Sequence, residues 1–244
     1  MQYFMDTAGT IPDGMGFSQF DALHLGWIGA AVLVWLTVSL LYRRLGEQGR
    51  RRMRRAVAAL IVADELYKML FLAIGGRYTV NYLPLHLCSI NIILIAIHAL
   101  RPSKTLDNFL YTVCIPAAIA ALLAPTWTEL PLANFMHIHS FTVHMLLALY
   151  PIMLTAGGDI RPDLRELGKS LLLLIALALP VLGINLLLDT NYMFLIEAEK
   201  GNPLYWFETN WGSHLYGFPV LIAGVIAVMY LPMVIRAMRK KKAK

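Results

Sequence analysis

The chain has 244 residues, of which 58% are hydrophobic and only 15% are charged, and its mean hydropathy is +0.61. Soluble domains carry about 25% charged residues, so this composition excludes an ordinary soluble protein and indicates a polytopic membrane protein. The formal net charge of +6 lies in short clusters between apolar segments, which is typical of membrane topology and argues against nucleic acid as a partner.

Seven segments are apolar enough to cross a bilayer, which takes about 20 residues of helix. We predict these spans at residues 22–42, 54–74, 83–100, 106–125, 135–155, 170–188 and 214–236. The third span is short and opens at Pro84, a residue that suits the first turn of a helix because its missing N–H would have no partner there. The predicted fold class is all-α: a single seven-transmembrane-helix bundle over residues 1–244 with no separate soluble domain.

The basic residues predict the orientation of this bundle. One side carries Arg43, Arg44, Arg50, Arg51, Arg52, Arg54, Arg55, Arg101, Lys104, Arg161, Arg165 and Lys169, and the basic tail at 237–244 follows the last span. The other side holds only Arg77 and Lys200. By the positive-inside rule, the N-terminus is expected outside and the tail in the cytoplasm, where it anchors to anionic headgroups.

The second predicted span places three charged residues near its centre: Asp64, Glu65 and Lys68. Their spacing lets Lys68 pair with either acid on one helix. The other acid must take a proton or bond to a neighbouring span, for example to Asn91 or Asn185. A structural ion pair and a functional proton relay or substrate site are both open interpretations.

The third span begins with the sequence NYLPLHLCSIN at residues 81–91. In a helix, His86 and Ser89 share one face, and Cys88 and Asn91 share a neighbouring one. Because His86 and Cys88 would lie about 200° apart on an ideal helix, a base for a nucleophilic Cys88 must come from another span. Cys88 is either this nucleophile or a small packing residue beside Asn91.

The fifth span supplies the candidate base. His137, Ser140 and His144 recur at a spacing that puts them on one helical face, from which His139 points away. Six of the seven histidines lie near the predicted outer surface, and only His98 lies inward. Ionisable groups at membrane depth usually face a cavity, so we expect His86 and His144 to share one in the outer half of the bundle.

The sixth span ends in GINLLLDTNYMFL at residues 183–195, with Asn185 inside the apolar run and Asn191 and Tyr192 at its outer exit. Together, LPLHLCSIN and DTNYMFL resemble the YwaF-like bacterial integral membrane proteins, which are small seven-span proteins. The matching positions are Leu83 to Cys88, His144, and Asn191 to Leu195, and Glu65 falls where that family tends to place a carboxylate. The resemblance covers almost the whole chain and implies a multi-pass protein of the bacterial cytoplasmic membrane.

The bacterial family is similar to the eukaryotic transmembrane protein 164, a cysteine-dependent acyltransferase that remodels ether phospholipids. This similarity implies acyl chemistry on membrane phospholipids without a cofactor. The eukaryotic Pro-Cys-His motif places its cysteine at the position of Leu85, three residues before Cys88, so His86 matches the motif more directly than Cys88 does.

The first functional hypothesis is therefore an acyltransferase that works from the outer-leaflet side. We assign the chemistry to His86, Cys88 and His144 because acyl transfer needs a nucleophile, a base and donors to the oxyanion. The supporting residues are expected to be Glu65, Lys68, Asn91, Ser140, Asn185, Asn191 and Tyr192. Asn91, Ser140 or Asn191 would donate to the oxyanion, and no metal is required.

Two alternatives stay open. Buried Asp64, Glu65 and Lys68 would also serve a transporter or ligand-binding protein. A metal-dependent membrane hydrolase would use His86 with His137 and either His139 or His144 as ligands, although two histidines in an H-x-H pair on a helix point apart.

Overall fold

The protein is helical throughout the part of the chain that the computed structural model describes, residues 3–7 and 9–242, and these residues contain no strand. The α-helices are α1 Ala22–Arg44, α2 Glu47–Ile74, α3 Leu87–Leu100, α4 Lys104–Phe109, α5 Ile115–Leu123, α6 Phe135–Gly157, α7 Leu167–Leu188, α8 Pro203–Trp211 and α9 Gly217–Lys242. A π-helical turn, Leu110–Cys114, joins α4 to α5, and short 3-10 segments lie at Val80–Tyr82, Leu164–Glu166, Tyr192–Phe194 and His214–Tyr216. The predicted all-α class is confirmed.

Length and hydropathy identify five candidate membrane spans among the described residues: Ala22–Arg44, Lys104–Leu123, Phe135–Gly157, Leu164–Leu188 and His214–Leu231. The α3 helix is apolar but only 14 residues long. The α2 helix has 28 residues. Its first half is rich in arginine, and Asp64, Glu65 and Lys68 lie within its apolar second half. These helices make the chain a multi-pass membrane protein.

The α6 helix occupies the centre of the bundle, with α1, α2, α3 and α5 packed around it. Its second half is almost fully buried, including Leu147, Tyr150 and Met153. Peripheral helices instead expose apolar side chains, and Leu187 of α7 is 84% exposed. That distribution suits a bundle whose outer surface faces lipid, since apolar side chains there need no cover from protein.

Successive long helices alternate in direction, so one end of the bundle collects the first residues of α1, α3 and α6 and the last residues of α2, α5 and α7. The N-terminal segment packs over this end, where the Asn134 side chain donates hydrogen bonds of 2.7 Å to the carbonyls of Tyr3 and Asp6. The predicted basic tail at 237–244 extends past the described residues, which end at Lys242.

The start of α3 differs from the prediction. The helix begins at Leu87, and His86 is its extended N-cap residue with φ −66° and ψ 153°. Pro84 lies in the preceding turn, where the Leu85 N–H donates to the Leu83 carbonyl at 2.7 Å. Because His86 is not helical, the ideal-helix angle between positions 86 and 88 does not apply, and the two side chains are free to face the same space.

Candidate functional site

A cavity of about 260 Å³ lies between α2, α3 and α6 at the end of the bundle that the N-terminal segment covers. Its walls include six of the predicted site residues: Glu65, Lys68, His86, Cys88, Ser140 and His144. The expectation that His86 and His144 face one cavity is confirmed, and Cys88 joins them there. Tyr82 also lines this space, and partial burial raises the pKa of its hydroxyl.

The α6 helix presents one stripe of side chains to the cavity: Met136, His139, Ser140, Val143 and His144. His137 is absent from this wall, so the predicted orientations of His137 and His139 were wrong. Helical periodicity places these two histidines on opposite flanks of the stripe. Only the neighbouring helices decide which flank is turned inward, because α1 packs on one side of α6 and α2 on the other.

His137 and His24 are structural residues whose ring nitrogens are all in use. The Trp27 indole N–H donates to His137 Nε2 at 3.0 Å, and His137 Nδ1 lies 3.0 Å from the Leu130 carbonyl. His24 bonds to the Leu122 carbonyl at 2.6 Å and accepts from the Phe20 N–H at 2.8 Å. The predicted metal set that included His137 is therefore not assembled. Among the described residues, no three His, Cys, Asp or Glu side chains are placed so that they could hold a metal ion.

His144 is held as a base. Its Nδ1 lies 2.6 Å from the Ser140 carbonyl oxygen, and a carbonyl only accepts hydrogen bonds, so Nδ1 carries the proton. Nε2 of the neutral ring then keeps its lone pair, and among the described residues it has no hydrogen-bond partner. The Trp127 indole stacks on the imidazole with ring centroids 5.3 Å apart and an interplanar angle of 7°, which fixes the orientation of the ring.

His86 is held in the opposite tautomer. The Met193 backbone N–H donates to His86 Nδ1 at 3.4 Å, so in the neutral ring the proton lies on Nε2. The Tyr192 and Phe194 rings pack against the imidazole, with centroid separations of 5.3 Å and 5.9 Å. His86 and His144 thus offer the cavity one N–H donor and one nitrogen lone pair, which are the two functions that acid–base chemistry requires.

The two sequence motifs meet at His86. Met193 and Phe194 adopt φ angles of 58° and 55°, a left-handed conformation that is unfavourable for residues other than glycine. The side chain of Asn185 holds this turn, because its amide donates to the Tyr192 carbonyl and accepts from the Tyr192 N–H, both at 2.9 Å. Asn185 and Tyr192 therefore hold the turn that packs against His86, and neither residue lines this cavity.

Asn191 lies beside a second cavity of about 390 Å³, which shares Asn81 and His86 with the first. Its side-chain oxygen accepts from the backbone N–H groups of Ile196 and Glu197 at 3.1 Å and 3.3 Å. Asn91 is only 1% exposed and lines neither cavity. The predicted oxyanion roles of Asn91 and Asn191 in the first cavity were therefore wrong, whereas Ser140 does line it.

Glu65 is buried and paired, as predicted. Its Oε1 lies 2.6 Å from Lys68 Nζ, and the Ser89 hydroxyl donates to the same oxygen at 3.3 Å. Glu65 and Lys68 are only 7% and 8% exposed, so leaving either charge alone would be costly. Through Ser89, the pair also fixes the first turn of α3, directly beside Cys88.

The partner of the remaining acid is a histidine that the sequence analysis excluded from this face. Asp64 Oδ2 lies 3.2 Å from His139 Nδ1, and Glu65 Oε2 lies 3.7 Å from His139 Nε2. The suggested partners Asn91 and Asn185 were wrong. A charge count could have revealed His139, because two acids and one lysine at membrane depth favour a second cation nearby.

Comparison with known proteins identifies one relationship. A sequence model described as the TMEM164 family matches residues 15–230 of the chain. This range contains every residue that lines the cavity and both motifs that meet at His86. No curated protein and no solved structure matches the chain.

Proposed function

The chain belongs to the TMEM164 family, and we propose that it is a membrane acyltransferase that moves fatty acyl groups between phospholipids. The observation that carries this proposal is the meeting of Cys88, His86 and His144 at one cavity inside an apolar bundle. A thiol, a nitrogen lone pair and an N–H donor are the groups that acyl transfer uses. The resemblance to cysteine-dependent acyltransferases supports His86 directly, whereas Cys88 lies three residues after the position of the eukaryotic cysteine and enters the set through the cavity.

In the first half-reaction, Cys88 gives its thiol proton to Nε2 of His144, and the thiolate attacks the carbonyl carbon of the donor's ester. The bond from that carbon to the glycerol oxygen breaks, and His144 passes the proton to the departing oxygen. A lysophospholipid leaves, and an acyl thioester remains on Cys88. The N–H of His86 donates to the carbonyl oxygen as negative charge develops on it.

The second half-reaction reverses these steps with another lipid. The free hydroxyl of an acceptor lysophospholipid gives its proton to Nε2 of His144, and its oxygen attacks the thioester. The carbon–sulfur bond breaks, and the Cys88 sulfur takes back the proton from His144. One ester is consumed and one is formed, so the exchange needs neither a cofactor nor an oxidant.

We further propose that the bundle crosses the bacterial cytoplasmic membrane seven times, with the N-terminus outside. In this arrangement α2 and α3 are spans two and three, and the α4–α5 segment is span four. The polar side chains of α2 support this, because Glu65 and Lys68 face the cavity and each other. The basic residues at the opposite end of the bundle then face the cytoplasm.

This topology predicts opposite labelling of two exposed positions. In whole cells, a membrane-impermeant maleimide should modify Ser18→Cys and leave Gln48→Cys unmodified until the membrane is permeabilised. Ser18 precedes α1 and Gln48 lies in the first turn of α2, so one membrane crossing separates them. Unsubstituted protein provides the background from Cys88 and Cys114, and equal labelling of both positions in intact cells would contradict the topology.

The activity is tested by lipid mass spectrometry. Purified protein in nanodiscs would receive a phospholipid with an isotope-labelled acyl chain together with an unlabelled lysophospholipid. We expect label to appear on the acceptor with the unsubstituted protein and not with His86→Ala, because His86 supplies the N–H donor. Absence of transfer from phosphatidylethanolamine and phosphatidylglycerol donors by the unsubstituted protein would refute the proposal.

The transporter alternative has less support from the geometry. A transport pathway needs charged groups that exchange partners with a substrate or ion. Here Lys68 already neutralises Glu65, and His139 lies against Asp64. These four groups neutralise one another beside the cavity, which suits a fixed wall better than a conducting path.

A further inference from the structure

His139 lies between two carboxylates of a neighbouring helix. Its Nδ1 is 3.2 Å from Asp64 Oδ2, and its Nε2 is 3.7 Å from Glu65 Oε2. The histidine belongs to α6 and both acids belong to α2, so this contact joins two walls of the cavity. The imidazole is only 5% exposed, so little of its charge is screened by bulk solvent.

The number of protons on His139 follows from its neighbours. A neutral imidazole has one N–H and one lone pair, so a neutral ring would turn its lone pair towards one carboxylate. An imidazolium carries an N–H group on each ring nitrogen, and each nitrogen has a carboxylate oxygen within 4 Å. These two contacts are ion pairs, because neither has the geometry of a hydrogen bond. Charge balance favours the same state, because Asp64 and Glu65 carry two negative charges and Lys68 supplies one positive charge. Protonated His139 brings the sum to zero, which avoids the cost of uncompensated charge at membrane depth.

We propose that His139 is a positioning residue, an imidazolium that neutralises Asp64 and holds α6 against α2. The charged or titratable groups around it are Asp64, Glu65 and Lys68 of α2, Tyr82 and His86 before α3, Cys88 of α3, and His144 of α6. Asp64 depends on it most, because Glu65 keeps Lys68 and Ser89 as partners.

The position of His139 connects this charge balance to the proposed chemistry. Ser140 follows it directly, and the Ser140 carbonyl holds the ring of His144. Glu65, on the other side of His139, holds Ser89 beside Cys88. A shift of α6 relative to α2 therefore changes the separation of the thiol and its base. This consequence rests on the proposed acyl transfer, whereas the charge state of His139 does not.

Infrared spectroscopy of the protein in nanodiscs tests the charge state without any substrate. Removal of the cation in His139→Gln should make Asp64 take up a proton, because an unpaired carboxylate at membrane depth is costly even when it is only partly buried. A carboxylic acid C=O stretch that is absent from the unsubstituted protein should then appear. It should be absent from His139→Lys, which restores a cation, and from the double variant Asp64→Asn/His139→Gln.

His137→Gln is the matched control, since it removes a buried imidazole from the same helix on the flank turned away from the cavity. It should give no new C=O stretch. A protonated-carboxyl signal in the unsubstituted protein, or none in His139→Gln, would overturn the inference. This outcome is independent of acyl transfer, so its failure and that of the proposed function can be told apart.

Kinetics test the positioning role. We expect His139→Gln to lower kcat of acyl exchange by about 100-fold with little change in KM, the size of loss that a misplacement of about 1 Å produces. His139→Lys should recover part of this loss because it restores the cation. An unchanged kcat in His139→Gln, despite the carboxyl signal, would overturn the positioning role.

Discussion

The Cys88→Ala variant is expected to lose acyl exchange by at least about 10⁴-fold, the scale on which removal of a covalent nucleophile lowers kcat. The reason is the placement of the thiol. Cys88 lies in the first turn of α3 and lines the same cavity as the unpaired Nε2 of His144. Without its sulfur no thioester forms, and the other cavity groups provide no equivalent nucleophile.

The measurement is a direct search for the acyl-enzyme. Intact-protein mass spectrometry after incubation with a donor phospholipid alone should show the unsubstituted protein with an added acyl mass that hydroxylamine removes. Cys88→Ala should show none.

Cys114→Ala is the matched control for this search. The Cys114 thiol is buried in the core, where it donates to the Leu147 carbonyl at 3.4 Å, and it does not line the cavity. This variant should still form the thioester.

Full activity in Cys88→Ala together with lost activity in His86→Ala would contradict the covalent pathway. The reaction would then be a direct attack by the acceptor hydroxyl with a histidine as base. Cys88 would be the small packing residue that the sequence also allows. This outcome would leave acyl transfer itself intact and would replace only the identity of the nucleophile.

The His144→Gln variant is expected to lower kcat by about 10²–10⁴-fold, the usual contribution of a general base. Glutamine keeps a similar length and can still donate to the Ser140 carbonyl, but it has no basic nitrogen to take the Cys88 proton. Single-turnover rates with labelled donor would measure the loss at the chemical step. Thermal unfolding of the variant, compared with that of the unsubstituted protein, separates this loss from misfolding.

A second His144 variant makes the test sharper. His144→Ala opens space beside the Trp127 ring, and added imidazole should restore part of the rate if a basic nitrogen is what the site lacks. The same addition should not help Cys88→Ala, where the nucleophile is missing. A His144→Gln protein that retains more than about a tenth of the normal kcat would rule out His144 as the base.

The sequence by itself determined that this is a helical membrane protein and which charged side chains can pair within one helix. Hydropathy and the scarcity of charge predicted a helical membrane protein, because a run of about 20 apolar residues is the length of helix that spans a bilayer. The spacing of Asp64, Glu65 and Lys68 predicted that Lys68 pairs with one of the two acids, and the structure contains the pair with Glu65. These features depend only on residues that are close in the sequence, and the period of the helix is enough to predict which of their side chains meet.

Helix ends were harder to predict from the sequence. Pro84 suits a first helical turn, yet the chain makes a further turn before α3 and leaves His86 as an extended cap. That turn is held by contacts with residues more than a hundred positions away, including the hydrogen bond from Met193 to His86 and the one from Tyr192 to Val80. The conformational preferences of neighbouring residues contain no information about such distant partners. The predicted angle between the His86 and Cys88 side chains was therefore wrong.

Only the tertiary structure decided which histidine completes the site. His137 and His139 lie on opposite flanks of the same stripe of α6, and no residue within α6 distinguishes them. Packing turned His137 towards Trp27 of α1 and His139 towards Asp64 of α2. The rotation of a helix about its own axis is set by the side chains of its neighbours, and a one-dimensional pattern contains no record of which neighbour lies on which flank.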